Sequence, residues 1–232
     1  PIPSKKRLFK QPCGQFFKLV LCPAARKGMI IIMKALITGA SSGIGRDMAK
    51  YLAKKNIEMY AVGRNKERLD RLNKEIGCKI YIKDLSKRSE VFSLYEEIKN
   101  ENIDILINNA GFGAFGKFEE TNLETELELI DTNITALHIL TKLFYRDFLK
   151  KGSGYILNVA SIASFLPGPL LGTYYSTKAY VRVLTESIAA ELKENKSNVH
   201  ICALCPGPVK TEFDSVANVK FSLKGADAHS VA

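Results

Sequence analysis

The sequence is poor in several features that would assign it to particular classes of protein. It contains no run of 18 apolar residues, so no segment is expected to span a membrane. Its three histidines, at positions 138, 200 and 229, are scattered without metal-ligand spacing. Its five cysteines form an odd, dispersed set, which is typical of reduced thiols in a cytoplasmic protein. We therefore expect no metal site and a cytoplasmic location.

Only Cys202 and Cys205 have the spacing of a metal or disulfide motif. They lie in VHICALC, which is predicted to be a buried strand. Because strand side chains alternate between faces, two positions three apart point to opposite sides of a sheet. This pair is therefore expected neither to bind a metal nor to form a disulfide.

Acidic residues are missing from residues 1–28, which contain seven lysines and arginines. The whole chain carries a net charge of +10, so the other 204 residues carry only +3. A nearly neutral domain argues against a nucleic-acid partner. Lys18 interrupts the apolar run that a signal peptide would need. We interpret residues 1–28 as a basic extension, disordered or non-native, and residues 29–232 as one domain.

Apolar, β-rich runs alternate with longer helical segments along the rest of the chain. The predicted strands are KALITG, EMYAVG, KIYIKD, IDILINN, GYILNVAS and NVHICALCPG, and the predicted helices span about 43–55, 65–76, 87–101, 121–150 and 173–195. Such alternation predicts right-handed βαβ crossovers and a parallel sheet covered by helices on both faces. We expect an α/β, doubly wound, Rossmann-type domain that binds its ligand at the carboxyl ends of the strands.

The first strand leads into a glycine-rich turn, TGASSGIG. Gly39 permits a sharp turn, Gly43 lets the backbone approach a phosphate, and Gly45 lets the helix pack closely on the sheet. The helix that follows presents free N–H groups and a partial positive charge to an anion. The G-x-x-x-G-x-G spacing differs from that of a P-loop. We expect a dinucleotide phosphate here.

The stretch TYYSTKAY, residues 173–180, offers three tyrosines and one lysine. A catalytic tyrosine on a helix needs its lysine on the same face, and a position four residues later lies on that face. Tyr174 and Lys178 satisfy this spacing, whereas the residues four positions after Tyr175 and Tyr180 carry no charge. We expect packing or substrate contact for Tyr175 and Tyr180.

These motifs resemble those of the short-chain dehydrogenase/reductase superfamily. TGASSGIG is followed in order by NNAG at 108–111, Ser161, YYSTK and PGPVKT at 206–211. The resemblance runs from about residue 34 to 213 and is most similar to bacterial members near the ketoacyl and hydroxysteroid reductases. It implies hydride transfer between a nicotinamide cofactor and a carbonyl or secondary alcohol, by a protein that assembles as a homodimer or homotetramer when full length.

The resemblance also implies four catalytic residues. Tyr174 is the general acid/base, Lys178 assists it and holds the nicotinamide ribose, and Ser161 binds the carbonyl oxygen; Ser164 is a weaker candidate for the last role. Asn133 lies on the apolar stripe of its helix, where an ordinary core amide is the alternative to fixing a proton-relaying water. An ammonium about 4 Å from a phenol, at an effective dielectric near 20, would lower the phenol pKa by about three units.

The second predicted strand ends in AVGRN, with Gly63 where a cofactor-selecting acid would stand and Arg64 after it. A carboxylate repels a 2′-phosphate, whereas a guanidinium binds it through two hydrogen bonds. NADP (NADPH) is therefore expected rather than NAD. The cofactor-binding residues implied by the resemblance are Gly39, Ser41, Ser42, Gly43, Ile44, Gly45, Arg64, Asp84, Leu85, Asn109, Ala110, Gly111, Tyr174, Lys178, Pro206, Gly207, Val209 and Thr211.

The substrate is expected to be a small, lipophilic carbonyl or alcohol. Phe112, Phe115, Phe118 and FLPGPLLGTYY (165–175) place apolar side chains near the predicted site, although they could equally be loop and core residues. The sequence after PGPVKTEF lacks the expected lid, helix and last strand, so we expect a truncated sheet. Two other functions stay open: an inactive nucleotide-binding scaffold or regulator of the same fold, and an epimerase or dehydratase.

Overall fold

The computed structural model describes residues 32–210, 226–227 and 231. The predictions for residues 1–28, for Thr211 and for His229 lie outside the described residues, as do those for most of the C-terminal segment. None of the described helices is both long enough and apolar enough to cross a bilayer.

Strands and helices alternate along the described chain as the sequence predicts. The strands of the main sheet are β1 (Lys34–Thr38), β2 (Glu58–Gly63), β3 (Lys79–Ile82), β4 (Ile105–Asn108), β5 (Gly154–Val159) and β6 (Val199–Leu204). The helices are α1 (Gly43–Ala53), α2 (Lys66–Ile76), α3 (Arg88–Ile98), α4 (Leu123–Ile130), α5 (Leu137–Lys151) and α6 (Gly172–Glu194), with a π-helical segment at Asp131–Ala136 and a 3₁₀ turn at Ile162–Phe165. Two short strands, β7 (Val209–Lys210) and β8 (Ala226–Asp227), pair separately.

All six strands of the main sheet are parallel, in the order β3-β2-β1-β4-β5-β6. The chain winds outward from β1 to β3, then crosses back to β4 and winds outward in the other direction. The loops after β1 and β4 therefore diverge to opposite faces and leave a crevice at the carboxyl ends of these strands. The predicted doubly wound, Rossmann-type fold is confirmed.

The core explains the continuous apolar runs in the strands. Leu36 and Ile37 are neighbours in β1, both fully buried, and belong to different clusters. Ile37 packs with Met48 of α1 and other residues of α1 and α2, whereas Leu36 packs with Phe148 of α5 and residues of α3 and α6. With both faces covered, neither strand position can be polar.

The helix predicted over about 121–150 is not α-helical throughout. It is divided into α4 and α5 by the π-helical segment Asp131–Ala136, which contains the buried Asn133. A π turn inserts an extra residue into the helix and occurs frequently at functional sites. The sequence gives no sign of it, because the apolar spacing on either side is helical.

Candidate active site

A cleft of about 480 Å³ opens at the carboxyl ends of the strands, a volume typical of small-molecule sites. Most predicted site residues line it: Gly39, Ser41, Ser42, Gly43, Ile44, Arg64, Asp84, Leu85, Asn109, Ala110, Gly111, Ser161, Tyr174, Lys178, Pro206, Gly207 and Val209. Gly45 and Asn133 are not in the cleft wall, and Thr211 lies outside the described residues. The cleft thus brings together residues from the loops after β1, β2, β3, β4, β5 and β6.

The glycine-rich turn forms one end of the cleft and needs its glycines. Gly39 has a φ of +68°, and a Cβ there would come within 2.8 Å of the Ala110 Cα. A Cβ on Gly45 would collide with the Asn109 side chain and lie 2.5 Å from the Gly39 carbonyl oxygen. Ser42 precedes α1, and its side chain makes no capping hydrogen bond. The first N–H groups of α1 therefore remain available for a phosphate, which fits a dinucleotide.

The loops after β1 and β4 are tied together by Thr38 and Asn109. The Thr38 hydroxyl accepts hydrogen bonds from the backbone N–H groups of Asn109 and Ala110, both at 3.0 Å. The Asn109 amide donates to the carbonyl oxygens of Thr38 and Gly39, at 3.1 and 3.2 Å. Asn109 therefore shapes the glycine turn directly; its predicted contact with the adenosine ribose stays a prediction.

Gly63 and Arg64 lie at the end of β2, where there is little space for a side chain at Gly63. A Cβ on Gly63 would lie 3.3 Å from both Cβ and Oγ of Ser41, so a larger side chain would crowd the turn. Arg64 is exposed at the cleft edge. Burial raises the pKa of Asp84, but hydrogen bonds from Ser86 and the nearby Arg64 charge outweigh it, so this pKa is lowered. This end of the cleft thus carries the positive charge of Arg64 beside the carboxylate of Asp84.

Sequence reasoning missed three residues at this end of the cleft, namely Asn65, Arg68 and Lys83. Arg68 follows Arg64 by four residues and lies in the first turn of α2, so helical spacing could have identified it. Lys83 directly precedes Asp84, and its ammonium lies 3.1 Å from the Ser93 hydroxyl. Lys83 reaches the cleft because it directly follows β3, and no pattern in the nearby sequence predicts this position.

Ser161, Tyr174 and Lys178 meet at the other end of the cleft. Burial raises the pKa of Tyr174 to about 12, while a hydrogen bond from the Ser161 side chain lowers it in part. The Ser161 Oγ also accepts the N–H of Ala163 at 3.1 Å, which caps the 3₁₀ turn and orients the hydroxyl. The predicted grouping of serine, tyrosine and lysine is present in this structure.

The Lys178 ammonium is not placed as the sequence-based pKa argument assumed. Its Nζ lies 5.8 Å from the centre of the Tyr174 ring and donates a 2.8 Å hydrogen bond to the carbonyl oxygen of Val159. Burial raises the pKa of the phenol, whereas the spacing predicted that the ammonium would lower it. Burial lowers the pKa of Lys178 to about 8, with a small opposing effect from Cys205. Tyr174 thus carries its proton at neutral pH.

Asn133 lies behind the cleft wall, where all its amide hydrogens are bonded. Its Oδ1 accepts the N–H of Phe112 at 3.1 Å, and its Nδ2 donates to the Phe112 carbonyl at 2.9 Å and to the Thr177 hydroxyl at 3.1 Å. The polar side chain on an apolar stripe is thus fully satisfied. It ties the loop after β4 to the helix that carries Tyr174.

The alternative residues occupy other positions. The Ser164 hydroxyl donates to the Ser161 carbonyl at 2.6 Å and is buried, so it does not face the cleft. Tyr175 lines the cleft, and its ring meets that of Tyr174 edge-on at 6.1 Å. Tyr180 points away, with its hydroxyl 2.8 Å from Nδ1 of His138. Of the two alternative tyrosines, Tyr175 and Tyr180, only Tyr175 is therefore placed for substrate contact.

The cleft lining around Tyr174 is largely apolar. Of the three predicted phenylalanines, only Phe112 lines the cleft, since Phe115 and Phe118 are 43% and 81% exposed elsewhere. The other apolar lining residues here are Ile162, Ala163, Leu171 and Tyr175, and the polar Thr132 was missed by sequence reasoning.

The cysteines and histidines form no second centre in the described part of the chain. Cys202, in β6, packs on the cluster of Ile37, and Cys205, directly after β6, packs on that of Val181, so the two side chains point in different directions, as predicted. No group of three or more potential metal ligands occurs among the described residues.

Comparison with known proteins gives one consistent result. The family model described as short chain dehydrogenase matches residues 33–220. An uncharacterized oxidoreductase of Staphylococcus epidermidis is 34% identical over 183 residues, covering 76% of this chain and 78% of that protein. A probable short-chain type dehydrogenase/reductase of Helicobacter pylori is 33% identical over 186 residues, covering 79% and 67%.

Solved structures show the same similarity. A short-chain dehydrogenase from Sphingobium yanoikuyae in complex with NADPH superposes with a TM-score of 0.79 at 31% identity, covering 86% of this chain and 81% of that one. A bulky-bulky ketone specific alcohol dehydrogenase from Comamonas testosteroni gives 0.75 at 29% identity, covering 86% and 79%. A 3-ketoacyl-(acyl-carrier-protein) reductase from Brucella melitensis complexed with NADH gives 0.73 at 31%, covering 79% and 78%.

Proposed function

This chain belongs to the short-chain dehydrogenase/reductase family, and from that premise we propose that it is an NADP-dependent enzyme that interconverts a lipophilic carbonyl and a secondary alcohol. The family and the fold make it an oxidoreductase with a nicotinamide cofactor. The observation that carries the proposal is the meeting of Ser161, Tyr174 and Lys178 at one end of a cleft whose other end is the glycine-rich turn.

The cleft residues fit the cofactor from end to end. The glycine turn and the start of α1 would hold the pyrophosphate, and Lys178 would hold the nicotinamide ribose. When bound, the nicotinamide supplies or accepts the hydride. Family membership does not choose between NADP and NAD, because one similar structure is complexed with NADPH and another with NADH. The preference for NADP is supported instead by Gly63 and Arg64 at the end of β2.

The proton step is performed by Tyr174. Its raised pKa keeps the phenol protonated at neutral pH, so it is prepared to donate a proton to a carbonyl oxygen as hydride arrives at the carbon. The Ser161 hydroxyl is oriented by Ala163 and would donate to the same oxygen, stabilising its developing charge. A protonated phenol is the form that carbonyl reduction requires, and Lys178 lies behind the ring, with its Nζ 5.8 Å from the ring centre.

The apolar lining beside Tyr174 supports a lipophilic substrate. Phe112, Leu171 and Tyr175 would contact the groups that flank the carbonyl, and burial of those groups would contribute about 25 cal/mol per Å². The named activity of the Comamonas testosteroni relative on bulky-bulky ketones is consistent with such a wall.

The experiment is to follow NADPH absorbance with a panel of ketones, aldehydes, ketosteroids and acyl thioesters, using the purified protein and its Tyr174→Phe variant. We expect oxidation of NADPH with at least one lipophilic ketone and none with the variant. If NADPH binds but no carbonyl is reduced, the inactive scaffold is the better description. If neither cofactor binds, the proposal is wrong.

A further inference from the structure

A buried hydroxyl on the catalytic helix links Tyr174 to Asn133. Thr177 is 1% exposed, and its Oγ1 donates a 2.7 Å hydrogen bond to the carbonyl oxygen of Tyr174. The same Oγ1 lies 3.1 Å from Nδ2 of Asn133. A hydroxyl has only one hydrogen. With that hydrogen on the Tyr174 carbonyl, Thr177 can only accept from Asn133, so the direction of the second bond is determined.

This direction determines which way the Asn133 amide faces. One Nδ2 hydrogen goes to Thr177 and the other to the Phe112 carbonyl, while Oδ1 accepts the Phe112 N–H. If the amide were reversed, Oδ1 would face two acceptor oxygens and Nδ2 would face an N–H group. Only one orientation satisfies every partner, and Thr177 supplies one of the three constraints.

The fixed amide lies near Lys178. A Cβ built on Gly111 would be 2.8 Å from Oδ1 of Asn133 and 3.5 Å from Nζ of Lys178, so both atoms flank the same glycine. A shift of the Asn133 amide would therefore disturb the cleft wall at Gly111, beside Lys178.

We propose that Thr177 is a positioning residue for the reaction: through its hydroxyl it holds the Asn133 amide, and with it the cleft wall at Gly111 and Phe112, in place beside Lys178 and Tyr174. The inference rests on the proposed function. Thr177 does not line the cleft, so it acts through Asn133 and not by contact with substrate or cofactor.

The same helix offers a matched control two turns later. Thr185 is also 1% exposed, its Oγ1 donates to the Val181 carbonyl at 2.7 Å, and it accepts from Nδ2 of a buried asparagine, Asn158, at 2.9 Å. Thr177→Val and Thr185→Val each replace a buried hydroxyl by a methyl group on this helix. Comparable losses of thermal stability are expected from both, because each leaves one amide hydrogen unbonded.

Their effects on turnover should differ. We expect Thr177→Val to lower kcat by about 10- to 100-fold, as small misplacements near a reacting centre do, with little change in the KM for NADPH. Thr177→Ser retains the hydroxyl and should restore most of kcat, and Thr185→Val should leave kcat unchanged. A normal kcat in Thr177→Val, or an equal loss in Thr185→Val, overturns the inference.

A second readout does not need turnover. Side-chain amide hydrogen exchange, followed by NMR with assigned asparagine signals, should accelerate at Asn133 in Thr177→Val and at Asn158 in Thr185→Val. Unchanged exchange at Asn133 overturns the positioning role. Absence of turnover in the unmodified protein contradicts the proposed function instead, and the exchange data then decide by themselves whether Thr177 orients Asn133.

Discussion

Lys178 Nζ donates its hydrogen bond to the Val159 carbonyl, two residues before Ser161 at the end of β5. This bond connects α6, the helix that contains Tyr174, to β5, the strand that precedes Ser161. It also keeps the ammonium in the wall of the cleft, where Lys178 is only 5% exposed. The lysine is thus placed by the fold before any cofactor binds, at the cost of burying a charge.

That cost predicts a pH-dependent gain in stability for Lys178→Met. The folded pKa is about 8, against about 10.4 in an unfolded chain, so the unfolded state binds more protons between these values. The buried charge therefore destabilises the protein fully below pH 8, and this effect disappears as the pH rises toward 10.4. After allowance for the lost hydrogen bond, we expect the variant to be about 1–3 kcal/mol more stable at pH 7. Urea unfolding at pH 7 and pH 10 measures this, and a pH-independent difference would contradict it.

Tyr174→Phe should reduce turnover by at least about 10²-fold, because it removes the only proton donor we assign to the reaction. The affinity for NADPH, measured by fluorescence titration, should change little. Tyr175→Phe is the control, since it retains the ring that lines the cleft, and it should keep most of the activity. The opposite pattern would show that Tyr175 is the acid.

Arg64→Ala should weaken NADPH binding by about 10- to 100-fold and NADH binding much less, because only the former carries the 2′-phosphate. Arg71→Ala is a suitable control: Arg71 is an exposed residue of α2 that pairs with Glu67 and does not line the cleft. Calorimetric titration of both cofactors gives the comparison. Equal affinity of the unmodified protein for NADH and NADPH, or an equal loss of both, would disprove the assignment.

Gly154→Ala should destabilise the fold, because a Cβ at the start of β5 would overlap the Phe148 ring of α5. Overpacking of this kind costs about 1–3 kcal/mol. Gly172→Ala, at the first position of α6, meets nothing within 4 Å and should be neutral or slightly stabilising. Thermal unfolding distinguishes the two, and similar melting temperatures would argue against this packing of α5 on β5.

The sheet and most of the cleft could be predicted because they follow from short-range patterns. Apolar runs define the strands, glycine spacing defines the turn after β1, and i,i+4 spacing pairs Tyr174 with Lys178. Each of these features is encoded within a few residues. The family resemblance then supplied roles that the residues alone did not.

Other features depend on partners distant in sequence. The π turn at Asn133 is held by Phe112 and Thr177, which lie 21 and 44 residues away. The pKa of Tyr174 was predicted in the wrong direction, because helical spacing gives the face of Lys178 but neither the burial of the phenol nor the direction of the ammonium. That direction is set by the Val159 carbonyl, on a different element.

The strand order has a further consequence for how this enzyme could change. The loops that would choose the cofactor follow β2 and β3, on one side of the crevice, whereas Leu171 and Tyr175 lie with α6 on the other. Mutations at distant sites without shared partners have nearly additive effects. If Arg64 selects the cofactor and Leu171 contacts the substrate, as we propose, we expect their substitutions to have nearly additive effects, so that the two properties can be redesigned separately.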